Sequence, residues 1–242
     1  MKKERKIVTA MKDTILPNKE IMDQTVDLLG DNIEIGIDTF IDDEIVKDVP
    51  IIGNVVKIMR LADSIHNRHF IIKLEKFVRE IYKNDIEIEL IEKHRNYLEK
   101  NPEKMEKEMT TLLLIIEDLQ GKEKIRILSN IYFYYLREME GRDRKTKECW
   151  IDFCILTEIL KDISIYDLPV LEYIYKQGKI NRYSEKASVF QIARLERCGV
   201  VYRETVNRGY QISSIAIKVT PQGELFYILS KADMRKGKNA SK

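Results

Sequence analysis

Cysteine is scarce in this chain. Cys149, Cys154 and Cys198 are odd in number and form no C-x-x-C pair, which excludes a disulfide scaffold and marks them as reduced, mostly buried thiols. Glycine (10) and proline (5) are also few among 242 residues, so collagen-like structure is excluded and helix is favoured. Gly30, Gly36 and Gly53 lie too far apart for a phosphate-cradling loop. Of the three histidines, His66 and His69 stand three apart without an H-E-x-x-H pattern or a third ligand, and no metal site is assigned. His94, between Lys93 and Arg95, reads as part of a solvated helix face. No side-chain constellation has the base and orienting group that a nucleophile needs, so no catalytic residue is assigned and no cofactor is expected. Apolar runs such as Leu112–Ile116 are far shorter than the roughly 18 residues of a membrane span. No run of signal-peptide length follows Met1-Lys2-Lys3-Glu4-Arg5-Lys6, and a cytoplasmic location is expected. Charge of one sign is lacking as well. With 42 Lys and Arg against 40 Asp and Glu, the net is +2, which argues against a uniformly basic coat for nucleic acid.

What is present is a hydrophobic fraction of 44%, ample for a core, in a chain whose length corresponds to one or two domains of about 150 residues. Charge divides the chain. From Ile165 to Lys242 there are 14 Lys and Arg against 7 Asp and Glu, a net of +7, which leaves −5 for residues 1–164. Hydrophobic spacing changes near the same point, from helical periods to short strand-like runs. A boundary is therefore expected at Ser164, between a helical domain of residues 1–164 and a domain of residues 165–242 with a basic tail.

In the first part, a helix is expected after Pro17, with Asn18 as its cap and Ile21, Thr25, Leu28 and Leu29 on its buried side. Ile33 to Ile41 fits a strand through Ile33, Ile35 and Ile37 and a helix through Ile33, Ile37 and Ile41, and helix is preferred because no partner strand is evident nearby. Pro50 opens a third, with Ile52, Val55, Val56, Met59 and Leu61 on an apolar face. Further helices are expected over Asn67–Tyr82, Asp85–Lys100, Pro102–Leu119, Lys122–Glu140 and Lys145–Asp162, joined by connections short enough for a multi-helix bundle. Tyr132-Phe133-Tyr134-Tyr135 cannot share one helix face and reads as core plus rim.

In the second part, Asp167–Tyr175 reads as a helix closing before Gly178. A polar segment, Lys179 to Lys186, follows. Ser188 caps a helix that ends at Gly199, with Val189, Ile192, Ala193 and Leu195 buried and Gln191, Arg194 and Arg197 outward. Val200–Arg203 and Ile215–Val219 read as strands flanking a turn at Asn207-Arg208-Gly209. Thr220-Pro221 opens a last helix.

This order, with the phrases Arg194-Leu195-Glu196-Arg197-Cys198-Gly199-Val200-Val201 and Val219-Thr220-Pro221-Gln222-Gly223-Glu224-Leu225-Phe226, resembles a winged-helix domain. The fold class expected is thus mainly α: a helical bundle followed by a small winged-helix-like α+β domain. The resemblance implies that the helix at Ser188–Cys198 enters a major groove and that Arg203–Arg208 forms the wing. Gln191, Arg194 and Arg197 then suit base edges or phosphates, and Arg203 and Arg208 suit phosphates. One departure weakens that implication. Gly178 to Ala187 is too short and polar for the family's second helix, and winged helices with degenerate second helices often contact proteins instead.

A second resemblance lies upstream. Asp48-Val49-Pro50-Ile51-Ile52-Gly53-Asn54-Val55-Val56-Lys57, with Ser64-Ile65-His66-Asn67-Arg68-His69-Phe70 after it, is similar to a segment of uncharacterised bacterial proteins linked to phages, mobile elements and genome defence. It implies that setting and no activity. The expectation is a non-enzymatic protein in which the helical part mediates contacts or self-association and the C-terminal domain meets double-stranded DNA or a protein partner. The rival expectation is a membrane-active defence effector that releases Pro50–Ala62 to an interface. The charges around that segment favour a buried bundle helix over membrane contact.

Overall fold

The computed structural model describes residues 2–18, 65–83, 88–140, 146–181, 184–208 and 211–231. The protein is mainly helical, with a small three-stranded antiparallel sheet among the described residues. The described residues fall into two compact units. The first takes those before 130 together with those from 136 to 144, and the second takes 130–135 and those from 145 to 234.

The first unit contains α1 (Lys2–Ile15), α2 (Ile65–Lys83), α3 (Ile88–Glu99), α4 (Pro102–Asp118) and the two ends of α5 (Lys122–Glu140). Helices α1, α2 and α3 all lie against α4, which opens on Pro102, where the absent N–H has no intrahelical partner to lose. Met109, Leu112, Ile115 and Ile116 form its buried stripe, at the spacing that keeps side chains on one face. Met11 and Ile15 of α1, Leu74 and Phe77 of α2, and Leu90, Ile91 and Leu98 of α3 are buried as well. The bounds of α2 to α5 lie within a few residues of those expected. Helix α1 was not anticipated, because its first turns carry a run of charges. Its attachment is polar as well as apolar: Lys12 donates to Glu99 at 2.6 Å, and Arg95 donates to Asp13 at 3.0 Å and to the Leu16 carbonyl at 2.7 Å. The helices expected over residues 19–41 and 50–62 lie outside the described residues, as does the Pro50–Ala62 segment.

His94 corrects its solvated reading. It is buried, and its Nε2 lies 2.8 Å from Oε1 of the equally buried Glu108. The neighbours Lys93 and Arg95 give His94 a surface-like context in the sequence, but Glu108 reaches it from another helix. A buried polar group needs such a partner.

The second unit comprises the middle turns of α5, then α6 (Thr146–Asp162), a 3₁₀ turn (Ile165–Asp167), α7 (Leu168–Gln177), β1 (Ile180–Asn181), α8 (Val189–Arg197), β2 (Val201–Arg208), β3 (Gln211–Val219) and α9 (Pro221–Lys231). The sheet order is β1-β3-β2, with Ile180 opposite Ile217 and Val201 opposite Val219. Helix α7 packs on β3, α8 on β2 and α7, and α9 on α7 and α6. Leu171, Ile174, Ile192, Leu195, Val200, Ile217 and Phe226 form the buried centre.

The second compact unit takes in 130–135 and the chain from Lys145, so it does not coincide with the charge step at Ser164. Summed charge changes at Ser164, but packing does not. Tyr132 and Tyr135 of α5 meet Trp150 and Phe153 of α6 at ring-centroid distances of 5.3 to 6.0 Å, and the Asn130 side chain donates to the Leu229 carbonyl at 2.9 Å. Helix α6 therefore belongs with the elements that follow it. The hairpin is also longer than expected, because β2 runs to Arg208 and β3 starts at Gln211. Cross-strand backbone hydrogen bonds carry a polar ribbon where side-chain hydrophobicity offers no signal.

Helix α7 is joined to α9 by Glu172, whose carboxylate accepts from Lys176 and Lys231, each at 2.7 Å. The hydrogen bond from Lys176, then that from Lys231, holds the Glu172 carboxyl at about 2, below its ordinary 4.5. A carboxyl depressed on folding stabilises the fold above its unfolded value, and that stabilisation is lost as pH falls through the folded value. Between pH 4.5 and about 2, the melting temperature of the wild-type chain should fall more steeply than that of Glu172→Gln. Parallel melting curves for the two proteins over that range would exclude this role for the carboxylate.

Candidate functional site

Helix α8 is closed at both ends by local chemistry. At its start, the Ser188 hydroxyl accepts from the Gln191 backbone N–H at 3.2 Å, and the Gln191 side-chain oxygen accepts from the Ser188 N–H at 3.2 Å. This is a reciprocal capping box, in which a cap of this kind contributes about 1 kcal/mol. At its end, the Val200 N–H reaches the Leu195 carbonyl and the Gly199 N–H reaches the Glu196 carbonyl. That Schellman pattern needs a left-handed residue at Gly199, where φ is +73°. Beyond it, the Thr220 side chain accepts from the Gly223 N–H and donates to the Gly199 carbonyl, locking the start of α9 against the end of α8.

Between these ends, Ile192 and Leu195 alone are fully buried on α8. Val189 and Ala193 are exposed instead of joining the core as expected. At roughly 100° per residue, Val189 and Ala193 lie well away from the Ile192–Leu195 direction, and a helix of nine residues on a small sheet buries only a narrow stripe. Phe190 is the residue that the sequence reading missed. It is 79% exposed, and Val189 beside it is 45% exposed. The signal was available: two residues before Ile192, Phe190 falls roughly 160° from it on the wheel. Tyr166, in the 3₁₀ turn, is 85% exposed.

The sequence-derived site residues are distributed as follows. Gln191 is half-buried and engaged in the capping box. Arg194 does not project freely. Its Nε and Nη2 donate to the two oxygens of Asp167, at 2.7 and 2.5 Å, and the Asp167 side chain is fully buried. Arg203 makes a two-pronged ion pair with Glu196, which ties β2 to α8. Arg197 is exposed and makes no ion pair among the described residues. Arg208 ends β2 opposite Gln211 in the backbone register, and its side chain lies outside the described residues. Tyr132, Phe133 and Tyr135 are buried and Tyr134 is half-buried, as the core-and-rim reading expects.

The local charge excess is correspondingly tempered. Lys176, Arg194, Arg203, Lys218 and Lys231 are each paired with a carboxylate of the same domain. An arginine already neutralised by a bidentate carboxylate has less to offer a phosphate. Among the described residues, no group of three or more His, Cys, Asp or Glu could hold a metal ion, and no helix is long and apolar enough to cross a membrane. His66 and His69 sit on α2, with side chains outside the described residues. No family model, curated protein or solved structure matches the chain.

Proposed function

We propose that the protein acts by binding, and that its C-terminal part is a winged-helix-like module whose α8 face meets a protein partner. The element order from α7 through α9 and the sheet order β1-β3-β2 support the winged-helix-like reading. Among the described residues the second helix of that family has no counterpart, since a short turn occupies residues 184–187. The observation that carries the protein-contact reading is the composition of the outward side of α8. A largely exposed phenylalanine occupies it, while the arginine one turn later is bound to Asp167. Exposed aromatic side chains anchor protein interfaces by excluding water, whereas a groove of DNA chiefly rewards hydrogen-bond donors and cations. The resemblance around Pro50 adds a setting in phage or mobile-element conflict, and the location proposed is the cytoplasm.

A photo-cross-linking amino acid placed at Phe190 in the full chain, with Glu158 of α6 as the control position, tests this reading in cells. Protein adducts specific to position 190 are expected. Adducts to nucleic acid in their place, or equal labelling from both positions, would remove it.

A further inference from the structure

The chemistry around Phe190 narrows the class of partner. Phe190, Ala193, Arg194 and Arg197 recur at the three- and four-residue spacing of one helical side. Phe190 and Ala193 supply the apolar part, and Arg197 supplies a cation one turn beyond Ala193. Lys186, exposed just before the capped start of α8, adds a second cation at the other end, near the Tyr173 ring. Two carboxylates in this region are already engaged: Asp167 with Arg194 and Glu196 with Arg203. Glu185 is the exposed acid of the rim. An apolar centre with a cation at each end complements a segment that carries apolar anchors among acidic residues.

We infer that the outward face of α8 takes an acidic amphipathic helix of a protein partner, with its apolar side on Phe190 and its carboxylates toward Arg197 and Lys186. This inference rests on the protein-contact reading and specifies its ligand. The mode is an amphipathic helix laid on an apolar strip, read through anchors at i, i+3, i+4 and i+7. The Arg194–Asp167 pair serves this surface indirectly, because it fixes the 3₁₀ turn carrying Tyr166 against α8.

The test is selection from a displayed library of random 16-residue peptides on the full-length chain, after depletion on Phe190→Asp. Phe190 is exposed, so the variant should retain the wild-type melting temperature, and that measurement accompanies the selection. Enriched peptides should be net acidic with helically spaced apolar residues. They should bind Phe190→Asp at least tenfold more weakly, and Arg197→Glu should lose the acidic peptides and gain neutral or basic ones. Basic or uncharged winners, or none that depends on Phe190, would overturn the inference. If position-190 protein adducts persist in cells under that outcome, the protein-contact reading stands and only the acidic-helix assignment falls.

Discussion

Gly223→Ala should unfold the second unit. A Cβ on Gly223 would lie 2.1 Å from the Val200 carbonyl oxygen and less than 3 Å from the Val200 Cα and carbonyl carbon. These are main-chain atoms, so no side chain can turn aside to make room. Val200 is itself held by two backbone hydrogen bonds, one to Leu195 at the end of α8 and one from Thr220 at the start of α9. Relief would require moving both helix ends and the first residue of the sheet together. A loss of about 3 kcal/mol or more is expected. For a domain of roughly 100 residues, that lowers the melting temperature by more than about 10 °C. Differential scanning calorimetry of the full chain should show the transition of this unit shifted by that amount or lost. A variant melting within about 2 °C of the wild type would mean that the Val200 backbone and α9 do not approach this closely.

The second large effect separates the two arginines of α8. Arg194→Ala leaves the fully buried Asp167 carboxylate with neither guanidinium donor, and although Arg194 itself is half exposed, a buried charge left without its partner is destabilising. A fall in melting temperature of about 5 °C or more is expected. Arg194→Lys should recover little of it, because one ammonium cannot reproduce the two-pronged geometry. Replacing both partners, as Asp167→Leu with Arg194→Leu, should recover most of it, since no charge then remains unpaired. Arg197→Ala should leave the melting temperature unchanged, as expected of an exposed cation. Equal melting temperatures for Arg194→Ala and Arg197→Ala would return Arg194 to the role of a free surface residue. The comparison also guards the binding assays, because a loss of binding by Arg194→Ala is a loss of fold before it is a loss of contact.

Much of the helical framework was legible residue by residue. Pro102 marks the start of α4, Gly121 precedes α5, and Ser188 and Gly199 bracket α8, each because its local chemistry punctuates a helix whatever lies around it. Gly223 was visible as part of a turn phrase, but its necessity was not, since the atom that it must avoid comes from Val200, 23 positions earlier. The charge step at Ser164 was legible too, whereas the aromatic contacts that place α6 with 130–135 join segments well apart in the chain.

The sequence alone determined where most of the described helices after α1 begin and end, that the hairpin strands lie in the last third of the chain, and which positions are apolar. These properties depend on neighbours within about one turn, through capping, periodicity and backbone preference. The tertiary structure alone decided which polar residues are in use and which apolar ones are spare. Lys93, His94 and Arg95 look alike as a surface run until Glu108 takes His94 inward. Arg194 and Arg197 look alike until Asp167, from another element, takes one of them. Phe190 and Leu195 are both apolar on the same short helix, yet the sheet and α7 cover only the side that Leu195 faces. Burial and pairing are properties of contact between distant segments, and no local pattern carries them.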